Sequence, residues 1–416
     1  MTTADATLAA APDQPRAALA PVREADRIFT LDMLRGWAIL GILAVNAVAF
    51  AWPWALEADP TLPHPWDASQ ANTVAAWVET VFFQDKFRSL FSMLFGVSVF
   101  LIGGERSDEA RGGLLRRRLS WLLLFGLIHG LALWYGDILM NYAYTGFIML
   151  LCRSWSAGKL IGWGLGINLT AGLLSAAAMM LQAMAPAGAG GQGNPFGTTP
   201  EAFDALVAAY RGPFPAALVE NMKAWLFLQG FSLVLMPITL GLMMLGLGLF
   251  KSGFLTGRSP AWVYLIVLAL GAANLAAYGW LEWRDATVEG PDNGLSGVAG
   301  SFAWLITLGY ASMLILMTRF GLKVLTARLA PVGRMAFTNY LSQTLIMTTL
   351  FYMPWGPKWF GTMGPAELWT VVAAVWIAQL IWSPLWLSVF QFGPFEWLWR
   401  CLTYGRAVPL LKSRAA

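Results

Sequence analysis

The stretch LLLFGLIHGLALWYGDILMNYAYTGFIMLL, residues 122–151, contains two apolar runs separated by the short sequence YGD. A helix that crosses a membrane needs roughly 20 mostly apolar residues, and glycine and aspartate are common where a chain turns. We therefore predict two consecutive membrane helices over about 117–135 and about 138–152, the second of them short. They follow each other almost without a loop.

The composition extends this interpretation to the whole chain. Of 416 residues, 57% are hydrophobic and 12% are charged. An average soluble domain carries about 25% charged residues. A soluble fold of this size could not cover so much apolar surface, so lipid must be the solvent for most of the chain. The 22 tryptophans agree with this, because tryptophan is enriched at the membrane–water boundary.

Apolar runs of this kind recur along the sequence. They predict an all-α fold, a polytopic membrane helix bundle of about ten transmembrane helices. The candidate spans lie at about 30–52, 85–103, 117–135, 138–152, 160–184, 224–250, 260–281, 299–318, 335–352 and 367–391.

The distribution of the 27 basic residues predicts the orientation of the bundle. Most Lys and Arg residues fall in every second connection and in the tail, whereas acidic residues collect in the other connections. Cytoplasmic loops carry an excess of Lys and Arg, so both termini are expected in the cytoplasm.

Residues 1–26 are rich in Ala and Pro and are predicted to form a disordered cytoplasmic arm. Residues 27–406 form a single predicted transmembrane domain, and 407–416 a cytoplasmic tail. The long loop at about 185–223 is expected outside the cytoplasm. Within it, TTPEAFDALVAAYRG predicts a short helix capped by Thr199, and ANTVAAWVETVFF near the second span predicts a similar interfacial helix.

Several classes of function are disfavoured by what the sequence lacks. The net charge of +4 is not gathered into a basic and aromatic run, so no nucleic-acid partner is expected. The two cysteines, Cys152 and Cys401, belong to no metal-ligand cluster, and no metal site is predicted. The chain has no Walker motif, no GxSxG elbow and no HExxH pair, which argues against a nucleotide-driven pump, a serine hydrolase and a zinc protease.

One of the two histidines, His129, lies in the apolar run that opens this section, eight residues before Asp137. Ionisable groups inside a span are costly and are therefore candidates for function. His129 could be a general base or an acyl acceptor, with Asp137 orienting it, or a buried histidine that makes structural hydrogen bonds. Gly126 and Gly130 form a spacing that allows close helix approach, and Asn141 is expected on the same face as Asp137. The other histidine, His64, is predicted to be exposed.

The first span carries Asp32 and Arg35 one turn apart, with Asn46 on nearly the same azimuth further along. This face could bind a ligand, or it could hold an interfacial ion pair and an interhelical hydrogen bond. The start of the second span carries three charges, of which Lys86 is expected to snorkel and Arg88 to face a cavity.

The ninth span carries Asn339, Ser342 and Gln343 on one predicted helix face. Because this face is uncharged, hydrogen bonding between helices and contact with a substrate are both open.

Six stretches together resemble one family of bacterial inner-membrane proteins, the YeiB-like family, over about 27–406. They are RIFTLDMLRGWAILGILAVN, KFRSLFSMLFGVSVFL, RLSWLLLFGLIHGLALWYGDILMNYAYTGF, GLMMLGLGLFKSGFL, VGRMAFTNYLSQTLI and GPFEWLWRCLTYG. The resemblance implies a place among transmembrane acyltransferases, which take an acyl group from cytoplasmic acyl-CoA to an acceptor on the other side. LDMLRG resembles the opening motif of membrane sugar acylators, which carry a histidine roughly where Asn46 stands here.

The sequence thus leads to the hypothesis of an integral membrane acyltransferase in the bacterial inner membrane, with acyl-CoA as donor and a small-molecule, glycan or lipid acceptor. Membrane lipids are expected partners, and a homo-oligomer is left open. His129 would be the base, Asp137 its orienting group, and Arg88 or Asn46 would stabilise the oxyanion. The residues assigned to substrate binding are Asp32, Arg35, Arg116, Arg117, Arg118, Asn141, Asn339 and Gln343.

Two alternatives remain. A transporter or flippase for a small metabolite or lipid would use the same buried groups as its path, with His129 and Asp137 as a proton relay. A membrane partner without catalytic activity would retain only the fold.

Overall fold

The computed structural model describes residues 27–58, 62, 64–184, 198–287 and 294–412. Within these ranges the chain is all-α, and its one β-type contact is an isolated bridge between Phe390 and Leu411. In chain order the helices are α1 (Phe29–Ala51), α2 (Ala55–Ala58), α3 (Gln70–Phe82), α4 (Lys86–Gly103), α5 (Glu109–Ala132), α6 (Leu139–Cys152), α7 (Ala157–Met184), α8 (Pro200–Arg211), α9 (Phe214–Lys251), α10 (Ala261–Thr287), α11 (Leu295–Gly300), α12 (Ala303–Arg319), α13 (Lys323–Ala327), α14 (Leu329–Arg334), α15 (Ala336–Phe351), α16 (Pro365–Val389) and α17 (Pro394–Tyr404).

Each of the ten predicted spans coincides with a helix. In the described part of the chain, six helical segments are long and apolar enough to cross a membrane, and α6 and α12 are shorter apolar helices. Helix α5 lies outside both groups because it begins with charged turns, and α15 because it is short and rich in polar residues. The helical bundle is therefore confirmed, whereas the count of ten spans and the cytoplasmic position of both termini stay predictions.

The helix ends follow from local capping chemistry. Asp108 accepts a hydrogen bond from the backbone N–H of Arg111, so α5 begins eight residues before the predicted apolar span. Thr199 caps α8 in the same way, with Pro200 at the first helical position, as the sequence predicted.

Helix α1 is the most enclosed span, with 72% of its apolar window buried inside the bundle. It crosses α14 at a contact between two glycines, Gly36 and Gly333. A Cβ on Gly36 would lie 1.9 Å from the Leu329 carbonyl oxygen, and one on Gly333 would lie 1.8 Å from that of Asp32. Only glycines allow this approach, which brings the charged start of α1 against the turn before α15.

The outer helices present apolar side chains to their surroundings. Leu173 and Leu174 of α7, and Trp262 and Leu265 of α10, are each more than half exposed. Such faces are expected where lipid is the solvent. The predicted arm at 1–26 and the tract at 185–197 lie outside the described residues.

Candidate functional site

A cavity of about 280 Å³ runs into the bundle from the N-terminal end of α1. Helices α1, α4, α5, α6, α14, α15 and α17 contribute to its wall, together with the residues just before α1 and α6. The residues that line it are Arg27, Ile28, Leu31, Asp32, Arg35, Ile39, Ile42, Phe91, Phe95, Ser98, Val99, Leu101, Ile102, Leu115, Arg118, Leu119, Leu122, Ile138, Leu139, Tyr142, Gly333, Arg334, Ala336, Phe337, Tyr340, Glu396, Trp399 and Arg400. From Leu31 to Ile42, the lining of α1 extends about 16 Å at 1.5 Å per residue.

The cavity has an apolar interior and a charged mouth, which is formed by Arg27, Asp32, Arg35, Arg118, Arg334, Glu396 and Arg400. Five arginines and two acidic residues line it, so the formal charge of the mouth is positive. Asp32 binds two of the arginines. Its carboxylate accepts hydrogen bonds from Arg27 Nε and from an Arg35 guanidinium nitrogen, both at 2.9 Å. Arg35 also donates to Ser98 Oγ at 3.3 Å, so the predicted pair on α1 does line the cavity.

Arg118 enters the mouth from α5. Its guanidinium carbon lies 3.4 Å from the centroid of the Trp399 ring, and the Trp399 indole N–H donates to the Arg118 carbonyl oxygen. No ion pair or side-chain hydrogen bond holds this guanidinium among the described residues. Arg116 and Arg117, which the sequence assigned to the same task, are exposed and lie outside the cavity. Arg117 instead donates to the Thr403 carbonyl oxygen.

Helix α17 contributes Glu396 and Arg400 to the mouth. The Glu396 carboxylate accepts hydrogen bonds from the backbone N–H groups of Phe337 and Thr338 at 2.7 and 3.0 Å, and from the Thr338 hydroxyl. It therefore caps the first turn of α15. Burial raises the pKa of the Glu396 carboxyl above its ordinary value, although these hydrogen bonds oppose the shift.

The inner end of the cavity is apolar except for two tyrosines. Tyr142 is bonded, with its hydroxyl 3.1 Å from Ser92 Oγ. The Tyr340 hydroxyl is buried near the Ile138 backbone, and it makes no hydrogen bond of normal geometry among the described residues. A buried hydroxyl without a partner is costly, so this donor is available to a ligand at the end of the cavity.

His129 lies directly behind Tyr340, with their ring centroids 5.2 Å apart. His129 Nδ1 is 3.0 Å from Asp137 Oδ1, and Nε2 is 2.9 Å from the hydroxyl oxygen of Thr344 on α15. The contact between His129 and Asp137 that the sequence left undecided is therefore present. The His129, Asp137 and Thr344 side chains are each at most 1% exposed.

Asp137 is fixed by the start of the next helix. Oδ1 accepts a hydrogen bond from the backbone N–H of Leu139 at 3.2 Å, and Oδ2 accepts one from Met140 at 2.9 Å. A carboxylate that accepts these bonds is an acceptor only, so Nδ1 of His129 is the donor in this pair. When the imidazole is neutral, Nε2 is the acceptor that faces the Thr344 hydroxyl.

The predicted glycine pair makes room for this arrangement. A Cβ on Gly126 would lie 2.9 Å from Asp137 Oδ2 and 2.5 Å from the Met140 nitrogen. One on Gly130 would overlap the Trp225 ring of α9. The spacing thus allows the close approach beside His129 that the sequence predicted.

Two other predicted residues do not line the cavity and make no hydrogen bond with His129 in the described part of the chain. Asn141 was expected on the face of Asp137, but α6 begins only at Leu139, so the two residues do not share a helix face. The Asn141 amide instead donates to Ser232 Oγ on α9 at 2.7 Å. Asn46 is half-buried and lies four residues beyond Ile42, past the lining of the cavity on α1.

The charged start of α4 is also separate from the cavity. Arg88 donates two hydrogen bonds to Asp85, at 3.0 and 2.8 Å, and does not line the cavity. Lys86 does not snorkel as expected. It is 1% exposed, its ammonium donates to the Thr80 carbonyl oxygen, and it lies 4.4 Å from the centroid of the Tyr278 ring.

The amides of α15 bond to helices and not to the cavity. The Asn339 side chain donates to the Val332 carbonyl oxygen and to Ser383 Oγ. Gln343 donates to the Ile39 carbonyl oxygen at 3.1 Å and to Gln379 Oε1 at 2.9 Å. Of the two interpretations left open, the structure contains the interhelical bonds, while Ser342 bonds within its own helix.

The helical bundle is that of a multi-pass membrane protein, and its arginine-lined cavity ends beside a buried imidazole–carboxylate pair. Residues 247–406 match a family model described as "Protein of unknown function (DUF418)". The chain is 33% identical over 410 residues to "Uncharacterized protein YeiB" of Escherichia coli (strain K12), covering 93% of this chain and 99% of the relative. It is 30% identical to "Uncharacterized protein YxaH" of Bacillus subtilis (strain 168), covering 95% and 98% respectively.

A third relative, "Uncharacterized 39.9 kDa protein in amylase 3'region" of Bacillus acidopullulyticus, is 26% identical over 95% of this chain and 99% of its own length. The chain belongs to the YeiB-like family, and the resemblance drawn from the six stretches is confirmed. No solved structure matches it significantly.

Proposed function

We propose that this protein is an integral membrane acyltransferase, which moves an acyl group from cytoplasmic acyl-CoA to a hydroxyl or amine acceptor in or across the membrane. The observation that carries the proposal is the cavity, which joins an arginine-lined mouth to the Tyr340 ring in front of His129. A donor that is anionic at one end and apolar at the other matches this wall along its length.

The mouth supplies the recognition of phosphate. Arg118 has no ion pair among the described residues, and Arg27 and Arg35 share one carboxylate, so the mouth retains positive charge for the CoA phosphates. Guanidinium groups bind phosphate through charge-assisted hydrogen bonds. The mouth lies at the N-terminal end of α1, which agrees with the predicted cytoplasmic position of the N-terminus.

The interior favours a short acyl group. A volume of about 280 Å³ is at the small end of ligand pockets, which span roughly 300–1,000 Å³. The thioester would lie near Tyr340, whose hydroxyl can donate to the carbonyl oxygen as charge develops there. The CoA nucleotide would remain at the mouth.

His129 supplies the base. Its Nε2 is an acceptor, and Asp137 stabilises the imidazolium that forms when Nε2 takes a proton. Both groups are excluded from water, which strengthens their interaction with a developing charge.

The test is acyl-CoA-dependent thiol release by protein in proteoliposomes, with radiolabelled acetyl-CoA as donor. His129→Ala should lower the rate by at least about 10²-fold, because a general base contributes 10²–10⁴-fold. The matched control is His64→Ala, which removes the exposed histidine and should leave the rate unchanged. Label in the lipid extract would identify a lipid acceptor, and a labelled aqueous product other than acetyl-CoA or acetate would identify a polar one.

One pair of results would contradict the proposal. If wild-type protein released no thiol from any acyl-CoA and accumulated a solute under a pH gradient, the enzyme proposal would fall and the transporter alternative would replace it.

A further inference from the structure

Thr344 is a residue that sequence patterns did not single out, and it completes a chain of three groups. Its hydroxyl oxygen is 2.9 Å from His129 Nε2, and His129 Nδ1 is 3.0 Å from Asp137 Oδ1. Hydroxyl, imidazole and carboxylate are the order found in enzymes that form an acyl–oxygen ester on a side chain. The three groups come from α15, α5 and the turn before α6.

The hydroxyl oxygen of Thr344 lies closer to the imidazole than to the carbonyl oxygen of its own helix. Hydroxyls inside helices often bond to the carbonyl oxygen four residues earlier, as Ser342 does at 2.6 Å and Ser92 at 2.8 Å. The distance from Thr344 Oγ1 to the Tyr340 carbonyl oxygen is 3.4 Å, which is longer than its distance to His129.

The cavity ends one helical turn from Thr344. Tyr340 lines its inner end and precedes Thr344 by four residues on α15, so the two side chains lie on the same helix face. Thr344 itself does not line the cavity, so the reaction requires the Tyr340 side chain to move when the donor binds.

The geometry points to Thr344 as the acyl carrier of the reaction, an inference that rests on the proposed acyltransferase function. In the first half-reaction, Oγ1 attacks the thioester carbonyl, and a C–O bond forms as the C–S bond breaks. The Thr344 proton passes to His129 Nε2 and then to the departing CoA thiolate. The products are CoA and an O-acyl threonine.

In the second half-reaction, the acceptor hydroxyl or amine attacks the O-acyl carbonyl. Its proton passes to Nε2 while the new ester or amide bond forms. The bond to Oγ1 then breaks, and the proton returns to Thr344. Asp137 balances the imidazolium in both steps, and no oxidant or reductant is required.

The experiment mixes purified protein with acetyl-CoA in the absence of added acceptor and measures intact mass and released thiol. Wild type should gain one acetyl group, which peptide mapping places on the α15 segment and which hydroxylamine removes. Thr344→Val preserves the branched shape but removes the hydroxyl, and it should lose the adduct and at least about 10²-fold of thiol release. Thr344→Ser keeps a hydroxyl and should retain both.

The matched control is Thr348→Val, one turn further along α15. Thr348 is fully buried, and its hydroxyl donates only weakly, to the Leu345 carbonyl oxygen at 3.4 Å. This variant should keep the adduct, and the melting temperature of each variant reports whether it is folded.

Two results separate the inference from the proposed function. If Thr344→Val released thiol at the wild-type rate, or if the acetyl group mapped to another residue, Thr344 would not be the carrier although the acyltransferase would stand. If wild type released no thiol, the proposed function itself would fail. Folded Thr344→Ser without an adduct would also overturn the inference.

Discussion

Two neighbouring faces of α15 are polar, and they differ in what their polar groups contact. The amide face, Asn339 and Gln343, bonds to α16 and to the α1 backbone. The hydroxyl face consists of Tyr340 and Thr344, each of which follows a residue of the amide face by one position. Tyr340 lines the cavity, and Thr344 contacts His129. Each face is an i, i+4 pair on the same helix.

This contrast distinguishes polar groups that stabilise a membrane bundle from polar groups that are suited to chemistry. On the amide face, each donor named above has a partner in the protein, and such bonds stabilise helix packing. On the hydroxyl face, Tyr340 has no partner of normal geometry among the described residues, and Thr344 bonds to a group that can accept its proton. A polar group with spare capacity beside a base is suited to chemistry.

The strongest loss of activity is expected from a variant that tests whether the hydroxyl face takes part in the reaction. Asp137→Asn should lower acyl transfer by about 10⁴-fold, because an amide in place of the carboxylate no longer fixes the tautomer of the histidine. The measurement is the rate of thiol release from acetyl-CoA, normalised to folded protein. Asp85→Asn is the control, since Asp85 is an exposed carboxylate that pairs with Arg88 away from the cavity. A loss below about tenfold in Asp137→Asn would reduce this face to a structural network.

The next effect concerns the hydroxyl at the end of the cavity. Tyr340→Phe should lower kcat by about 10²-fold with little change in KM, as expected when one donor to a developing oxyanion is removed. Tyr142→Phe is matched to it, because Tyr142 lines the same cavity but its hydroxyl already bonds to Ser92. Equal losses in the two variants would show that the available hydroxyl has no special role.

Much of the fold follows from the sequence, and about half of the site does. Apolar runs predicted ten helices at their observed positions because a lipid solvent requires continuous apolar segments with internal backbone hydrogen bonds. His129 and Asp137 stood out because ionisable groups are rare in such runs. A single sequence gives no reason to prefer Thr344 over the threonines near it.

Only some of the residues at the mouth of the cavity were predicted from the sequence. Arg35 and Arg118 were identified, but Glu396 and Trp399 belong to α17, which follows the last predicted span by only a few residues. Their position depends on tertiary packing of a short helix against α5 and α15, and this is not encoded in a local pattern. Asn141 was misplaced because α6 begins only at Leu139, so Asp137 lies outside the helix and the two residues are not an i, i+4 pair on one face.

A smaller effect is expected at the mouth of the cavity, where the acyl-CoA donor would bind. Arg118→Gln should raise KM for acetyl-CoA by about tenfold and leave kcat nearly unchanged, since one charge-assisted hydrogen bond is worth about 1.5 kcal/mol or more. Arg117→Gln is the control, because Arg117 is exposed and lies outside the cavity. The comparison needs initial rates over a range of donor concentrations. Equal KM values in the two variants would contradict phosphate binding at this mouth.

The smallest effect on activity is expected on the amide face, where the change should appear in stability. Gln343→Leu leaves Gln379 without the amide that donates to it, which should cost about 1–3 kcal/mol and lower the melting temperature in detergent. Gln343→Leu with Gln379→Leu removes both partners and should recover part of that loss, because neither amide is then left buried alone. Acyl transfer per folded molecule should stay within about threefold of wild type in both variants, since neither side chain lines the cavity. If folded Gln343→Leu lost transfer as completely as Thr344→Val, the two faces of α15 would act as one network, and the division between structural and chemical polarity on this helix would be wrong.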